Sequence, residues 1–318
     1  MISNYRSTSG FTLIELMISL VLGLLISAAV IQVYLTNTKT ASTQKSGSEL
    51  QEASVFGLQQ LESHLRLANL GNSVTSITDK TVGGGIVISP ENIGLASSDT
   101  SKNLYFTRTG GDSNITGINS DQLTIQFKNT TGVKIADCES ADVELGDTVI
   151  ERYFVRSSST TGQGLLLACD AGRVTTAGIT GLSANYQSGG SEVILGVDQF
   201  KILLGIQTDA PSDAGLMRYL TASEYLALSG TKPPITAVKI GLIVRGSSPV
   251  IGSDVATSFK LLGATQPLKS GQPKLVRTTY ESTTLLRNAR VINIDTSTTL
   301  TAGSCLLYTS PSPRDVEE

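Results

Sequence analysis

Histidine and tryptophan are the scarcest side chains in this sequence of 318 residues, with one His and no Trp. A single imidazole removes most histidine-based chemistry before any motif is sought. Charge is thin as well: charged residues make up 16%, the formal net charge is -3 and the pI is about 5.4. So low and balanced a charge argues against a disordered acidic or basic chain. It also disfavours nucleic acid as a partner, because phosphate affinity needs clustered Lys and Arg. Three cysteines, none in a C-x-x-C pair, support neither a zinc nor a redox motif. Glycine is plentiful at 31 residues, and Ser and Thr crowd the central and C-terminal parts. That texture suits short strands and turns better than a helical bundle. The length allows one large domain or two ordinary ones at roughly 150 residues each, which excludes a disulfide-only miniprotein.

The first seventy residues carry the most information. Met1 to Gly10 is short and polar with one cation, Arg6, and lacks the apolar core of an ordinary secretory signal. From Phe11 to Leu35 there is no Lys, Arg or Asp, and the sole charge is Glu15. As a helix, Phe11 to Ile31 rises about 32 Å, enough to cross a bilayer. The cations on either side, Arg6 against Lys39 and Lys45, are too few to orient the span by themselves. The size of the chain beyond the span, together with its cysteines, favours a periplasmic or extracellular head. A carboxylate at the centre of a span costs about 2.5–3.5 kcal/mol. Glu15 lies one turn from Phe11, near the membrane edge. It therefore reads either as a snorkelling carboxylate or as one paired with a cation from another chain.

Beyond the span, Leu50, Ala53, Leu58, Leu61, Leu65 and Ala68 recur at helical spacing, so the helix is expected to continue as an amphipathic stalk. The polar stretch from Lys39 to Ser48, with Gly47 inside it, is expected to loosen that helix, and Gly71 to stop it. His64 reads as an ordinary helix-surface residue. After Gly71 come period-two runs typical of half-buried antiparallel strands: Leu123 to Phe127, Phe200 to Ile206 and Val238 to Val244. Val149 to Val155 and Leu165 to Leu167 are further candidates. The expected organisation is a leader over 1–10, a transmembrane and stalk helix over 11–71, a β-rich head over 72–290 and a tail over 291–318.

Gly10-Phe11-Thr12-Leu13-Ile14-Glu15, running into an uninterrupted apolar helix, resembles the class III signal of type IV pilins and type II secretion pseudopilins. The resemblance implies an α+β, type IV pilin-like fold: a long N-terminal transmembrane and stalk helix, then a β-rich globular head with an antiparallel sheet. It implies that prepilin peptidase cuts between Gly10 and Phe11 and N-methylates Phe11. It also implies that Glu15, fifth in the mature chain, pairs with the Phe11 amine of a neighbouring subunit. The stretch from Glu52 to Asn72 looks like the helix end of PilW-type minor pilins. Gly196 to Phe200, Gly205 to Asp209, and Thr278 to Asn288 are similar to later parts of that family. Gln32 stands where many major pilins carry a helix-bending proline, in keeping with a minor component.

For a minor pilin the resemblance implies a structural subunit that primes pilus assembly and sits in the tip complex, with no catalysis and no cofactor. Implied partners are the major pilin and other minor pilins through the N-terminal helix, prepilin peptidase, the inner-membrane assembly platform and a tip adhesin. The implied location is the inner membrane, single-pass with the head in the periplasm, and then the pilus at the cell surface. The rival readings are a type II secretion pseudopilin of the J type and a pilus-borne receptor for DNA or another ligand.

Cys138 and Cys169 both fall in the strand-rich head, where they can bridge or remain two buried thiols. Cys305 to Asp315 looks like the conceptual translation of a sequencing-library transposon adapter, the other reading being a flexible Pro-rich tail. Catalytic and ligand motifs are otherwise missing. No G-x-S-x-G elbow occurs. Gly263 to Ser270 nearly imitates a phosphate loop, but Leu268 replaces its second glycine. Gly83-Gly84-Gly85 reads as a turn. Asp209 and Asp213, flanking Pro211, read as a solvated turn rather than a calcium loop.

Overall fold

The computed structural model describes residues 10–96, 103–160, 164–176, 178–183, 189–207, 217–249 and 255–289, without the side chains of 52–54 and 103. The leader before Gly10, the Asp209–Asp213 turn and the tail with Cys305 lie outside the described residues.

One helix, α1 (Leu13–Leu65), takes up 53 residues. It continues unbroken through Gln32 and through the polar stretch in which the sequence led us to expect loosening. The threonines there bond back to their own helix: Thr36 to Gln32 O at 2.9 Å, Thr40 to Thr36 O at 3.0 Å and Thr43 to Lys39 O at 3.1 Å. Each hydroxyl thereby finds its partner within the helix and draws no backbone group away to the head. The helix stops at Leu65, short of the expected Gly71. Leu67 N–H turns to His64 O at 2.9 Å and Ala68 N–H to Leu65 O at 3.1 Å, tightening the last turn. Asn69 then takes a left-handed φ of 65°. Long-range bonds hold it there, from its N–H to Gln126 O at 3.1 Å and from Nδ2 to Asn288 O at 2.8 Å.

The head contains two antiparallel sheets. The first is built from β1 (Arg108–Gly111), β2 (Ser120–Lys128), β5 (Thr148–Ser157), β6 (Leu165–Thr175), β7 (Gly178–Thr180) and β8 (Ser191–Leu195). Its order is β1-β2-β5-β6-β7, and β8 pairs with the other half of β6. A small hairpin, β3 (Ile135–Ala136) and β4 (Asp142–Val143), lies between β2 and β5. The second sheet has the order β10-β9-β11-β14. Its strands are β9 (Val197–Gln207), β10 (Met217–Leu220), β11 (Ile235–Pro249) and β14 (Leu275–Leu285). A short helix, α2 (Ala222–Leu226), follows β10, and the hairpin of β12 (Ser258–Leu261) and β13 (Ala264–Pro267) precedes β14.

The strand-like runs of the sequence all fall within these strands. In β2, however, the polar face is not solvated, because its first eight residues are buried on both sides. Gln122 donates to Leu104 O and Phe106 O at 2.9 and 2.8 Å, and Gln126 to Gly84 O and Asn92 O at 2.8 Å each. The amides of these glutamines secure the loops that cover the sheet, satisfying backbone carbonyls that would otherwise be buried alone. Side chains of β2 also bind the two sheets together. Asp121 Oδ2 accepts from Ile202 N–H at 2.9 Å, and Ser120 Oγ accepts from Phe200 N–H at 3.2 Å.

The lower half of α1 packs over both sheets. Leu50, Leu61, Leu65 and Ala68 join Leu123, Tyr153 and Leu167 of the first sheet and Phe200, Val238 and Leu242 of the second in one core. Phe259 and Leu261 of the β12–β13 hairpin cover Ile243 on the opposite face of β11.

Candidate functional site

The site is α1 itself, and its two halves differ in chemistry. The upper half is apolar all round and touches nothing in the head. Phe11 is 88% exposed, and every large apolar side chain from Leu13 to Leu35 is exposed as well. A helix apolar around its whole circumference is stable in lipid or among other helices, not in water. Its length and composition suffice for a membrane span. Inside that span Ser19 Oγ donates to Glu15 O at 2.6 Å, so its hydroxyl needs no outside partner.

At the top, Thr12 and Glu15 form a reciprocal cap. Glu15 N–H donates to Thr12 Oγ1 at 3.3 Å, and Thr12 N–H donates to Glu15 Oε2 at 3.2 Å. Two helix-end donors are thereby satisfied, and the carboxylate sits at the positive end of the helix dipole. The geometry fixes Glu15 at the exposed start of the helix, one turn from Phe11, with its charge directed along the end. Gly10 precedes Phe11 in an open position where a Cβ would meet nothing.

The lower half of α1 is bound to the head by three successive kinds of contact. First comes a polar seam with the end of β11. Ser42 Oγ donates to Pro249 O at 3.1 Å, Ser46 Oγ donates to Ser248 O at 3.0 Å, and Ser247 bonds Glu49. Next is the apolar core contact around Leu50 and Leu61, with Gly57 placed against β8. The last is a buried polar cluster at His64.

His64 is not a surface residue as its isolation in the sequence suggested. Its Nδ1 lies 2.9 Å from Glu151 Oε1 on β5, with the imidazole 13% and the carboxylate 0% exposed. Glu151 Oε1 also accepts Cys138 N–H at 3.0 Å, and Oε2 accepts the Tyr153 hydroxyl at 2.9 Å. Burial favours a neutral imidazole, but the hydrogen bond and charge of Glu151, with the charge of Asp137, outweigh it and hold His64 above its ordinary value. Burial, then the charge and hydrogen bond of Glu151, push the Tyr153 phenol well above its ordinary value.

Cys138 and Cys169 are joined by a disulfide, with their Cα atoms 6.1 Å apart. The bridge ties the turn after β3 to β6. Gln60 of α1 reaches the same turn at Cys138 O, 3.4 Å away. Among the described residues, Cys138, Glu151 and Cys169 form a group tight enough to hold a metal. The two sulfurs are bonded to each other and offer no thiolate, so the group does not fit a metal. The sequence around Gly263 is no phosphate loop either. Gly263 takes a φ of 84° in the turn between β12 and β13, and Lys269 Nζ is bonded to Ser113 O.

Sequence reasoning missed Glu151, Gly57 and the serine seam. A glycine inside a helix was the available signal for close approach at Gly57. Nothing local marked Glu151, which is 87 residues from the histidine it meets.

A family described as Type IV Pilus-assembly protein W matches residues 152–288. A second, described as the prokaryotic N-terminal methylation motif, matches residues 5–31 and so includes Gly10, Phe11 and Glu15. Among solved structures the chain is similar to a type IV-like pilin from Thermus thermophilus. The identity is 16% and the TM-score 0.38, with 76% of this chain and 98% of that one covered. No curated protein matches it in sequence.

Proposed function

We infer, for a chain that belongs to the PilW family of type IV minor pilins, a structural role in priming pilus assembly and a place in the tip complex. The observation that carries this reading is the bare apolar half of α1, opened by Phe11 and the capped Glu15. Such a surface needs lipid or like helices around it. In this account it has each in turn. Before assembly α1 crosses the inner membrane once, with the head in the periplasm. Prepilin peptidase cuts between Gly10 and Phe11, and Phe11 is N-methylated.

The new amine of Phe11 then meets Glu15 of a neighbouring subunit. Desolvated among apolar helices, each charge needs the other, so the pair sets the register in which helices stack. Apolar packing supplies the remaining cohesion, and the heads stay outside the bundle. Partners on this reading are the major pilin, other minor pilins, the inner-membrane assembly platform and a tip adhesin. The work is mechanical, not enzymatic, and uses no cofactor.

A clean deletion of the gene in its host tests the reading, with surface pili counted by electron microscopy and secreted proteins assayed in the same cultures. Scarce or absent pili with normal secretion is the expected result. Intact pili with lost secretion would move the chain to the type II pseudopilins of the J type.

A further inference from the structure

The polar cluster buried at the end of α1 has no part in helix stacking or membrane insertion. His64 is the one imidazole of the chain, and among the described residues it is the charged partner of Glu151. The groups facing it come from each element packed around it. From β5 these are Glu151 and Tyr153, and from the turn after β3 they are Asp137 and the Cys138 N–H. Asp137 is already balanced by Arg173 of β6 at 2.8 Å. Tyr153 stays neutral. With Glu151 ionised, the charges balance when His64 is protonated, and a neutral His64 leaves that fully buried carboxylate with neutral donors alone.

We propose that His64 and Glu151 form a proton-operated latch between the end of α1 and the first sheet, closed when His64 is protonated and weakened when it is neutral. The latch sits where the helix gives way to its terminal turn, so opening it loosens the backbone around His64 while Leu50, Leu61 and Leu65 keep the helix on the core. Glu151 also holds the disulfide-bearing turn through Cys138 N–H, which couples that turn to the same proton. The surroundings of the imidazole set the direction of the pH effect. A histidine whose proton is held more tightly in the folded state gives its full stabilisation below its ordinary value, about pH 6.5. The stabilisation is lost as the pH rises through the folded value. The head thus grips its stalk more firmly in mild acid than in mild alkali.

Full-length protein in detergent micelles, labelled with ¹⁵N at histidine, gives one set of ring signals because there is one histidine. The expected titration midpoint lies above about 6.5, and in Glu151→Gln, where burial is left without the carboxylate that outweighs it, it falls to the ordinary value or below. A wild-type midpoint at or below the ordinary value would overturn the proposal. Hydrogen exchange over residues 58–70, corrected for intrinsic rates and referred to β11, supplies the second readout. Protection is expected to fall as the pH rises through the midpoint, and His64→Gln is expected to abolish that dependence. Protection of this segment that ignores pH in the wild type would also overturn it. Should Glu151→Gln not fold, the wild-type titration and the His64→Gln exchange still decide the matter.

Discussion

Gly57 of α1 lies so close to Ile194 of β8 that a Cβ on the glycine would stand 2.2 Å from Ile194 Cγ1 and 2.8 Å from Val193 O. The second of these is backbone and cannot swing aside. Gly57→Ala sets two effects against each other. Alanine gains about 1 kcal/mol of helix propensity, while forcing α1 off β8 costs about 1–3 kcal/mol. The contact wins because strand backbone has to move. The variant is expected to melt several degrees below the wild type by circular dichroism, with helix content unchanged. A higher melting temperature would mean that the helix and β8 separate freely.

The disulfide closes a loop spanning 31 residues. Loop-closure entropy assigns such a bridge roughly 3–4 kcal/mol. Replacing both Cys138 and Cys169 by serine is expected to lower the melting temperature by about 10 °C in a head of this size. Mass spectrometry of the non-reduced protein checks the pairing itself. An unchanged melting temperature would show that the bonds of Asp137 and Glu151 hold the turn unaided.

At the start of β9, Asp198 is fully buried between two cations. Its Oδ2 lies 2.6 Å from Arg277 Nε, its Oδ1 lies 3.5 Å from Arg245 Nε, and Asn114 Nδ2 donates to Oδ1 at 2.6 Å. This contact joins β9, β11 and β14 at one point. Asp198→Asn keeps the shape and removes the charge, leaving a buried guanidinium without its counter-ion. Breaking a buried pair in this way costs about 3–5 kcal/mol, to be read as a lower urea midpoint with an unchanged slope. A midpoint within error of the wild type would show that water or neighbouring carbonyls already compensate the arginines.

Much of the molecule was legible before its structure. The apolar run after Gly10 forms the free half of α1, and the alternation in Phe200 to Ile206 and Val238 to Val244 forms β9 and β11. These are local periodicities, and local periodicity survives folding. What could not be read depends on contacts distant in sequence. The helix ends at Leu65 because Asn69 is drawn to Gln126 and Asn288, not because of the glycine after it. Gln122 and Gln126 resemble a solvated strand face until the loops they hold are in place. His64 looks idle until β5 brings Glu151 to it.

Pairing of Glu15 with a neighbouring subunit is tested by Glu15→Ala in the full chain, expressed in its host and followed by immunoblot of membranes and of sheared surface pili. The cap with Thr12 contributes only about 1 kcal/mol to the helix, so the variant is expected to fold and to accumulate in the membrane. Wild-type protein is expected in the sheared fraction and the variant is expected to be missing from it, with the head equally resistant to protease in both. Wild-type amounts of Glu15→Ala in sheared pili would contradict that pairing.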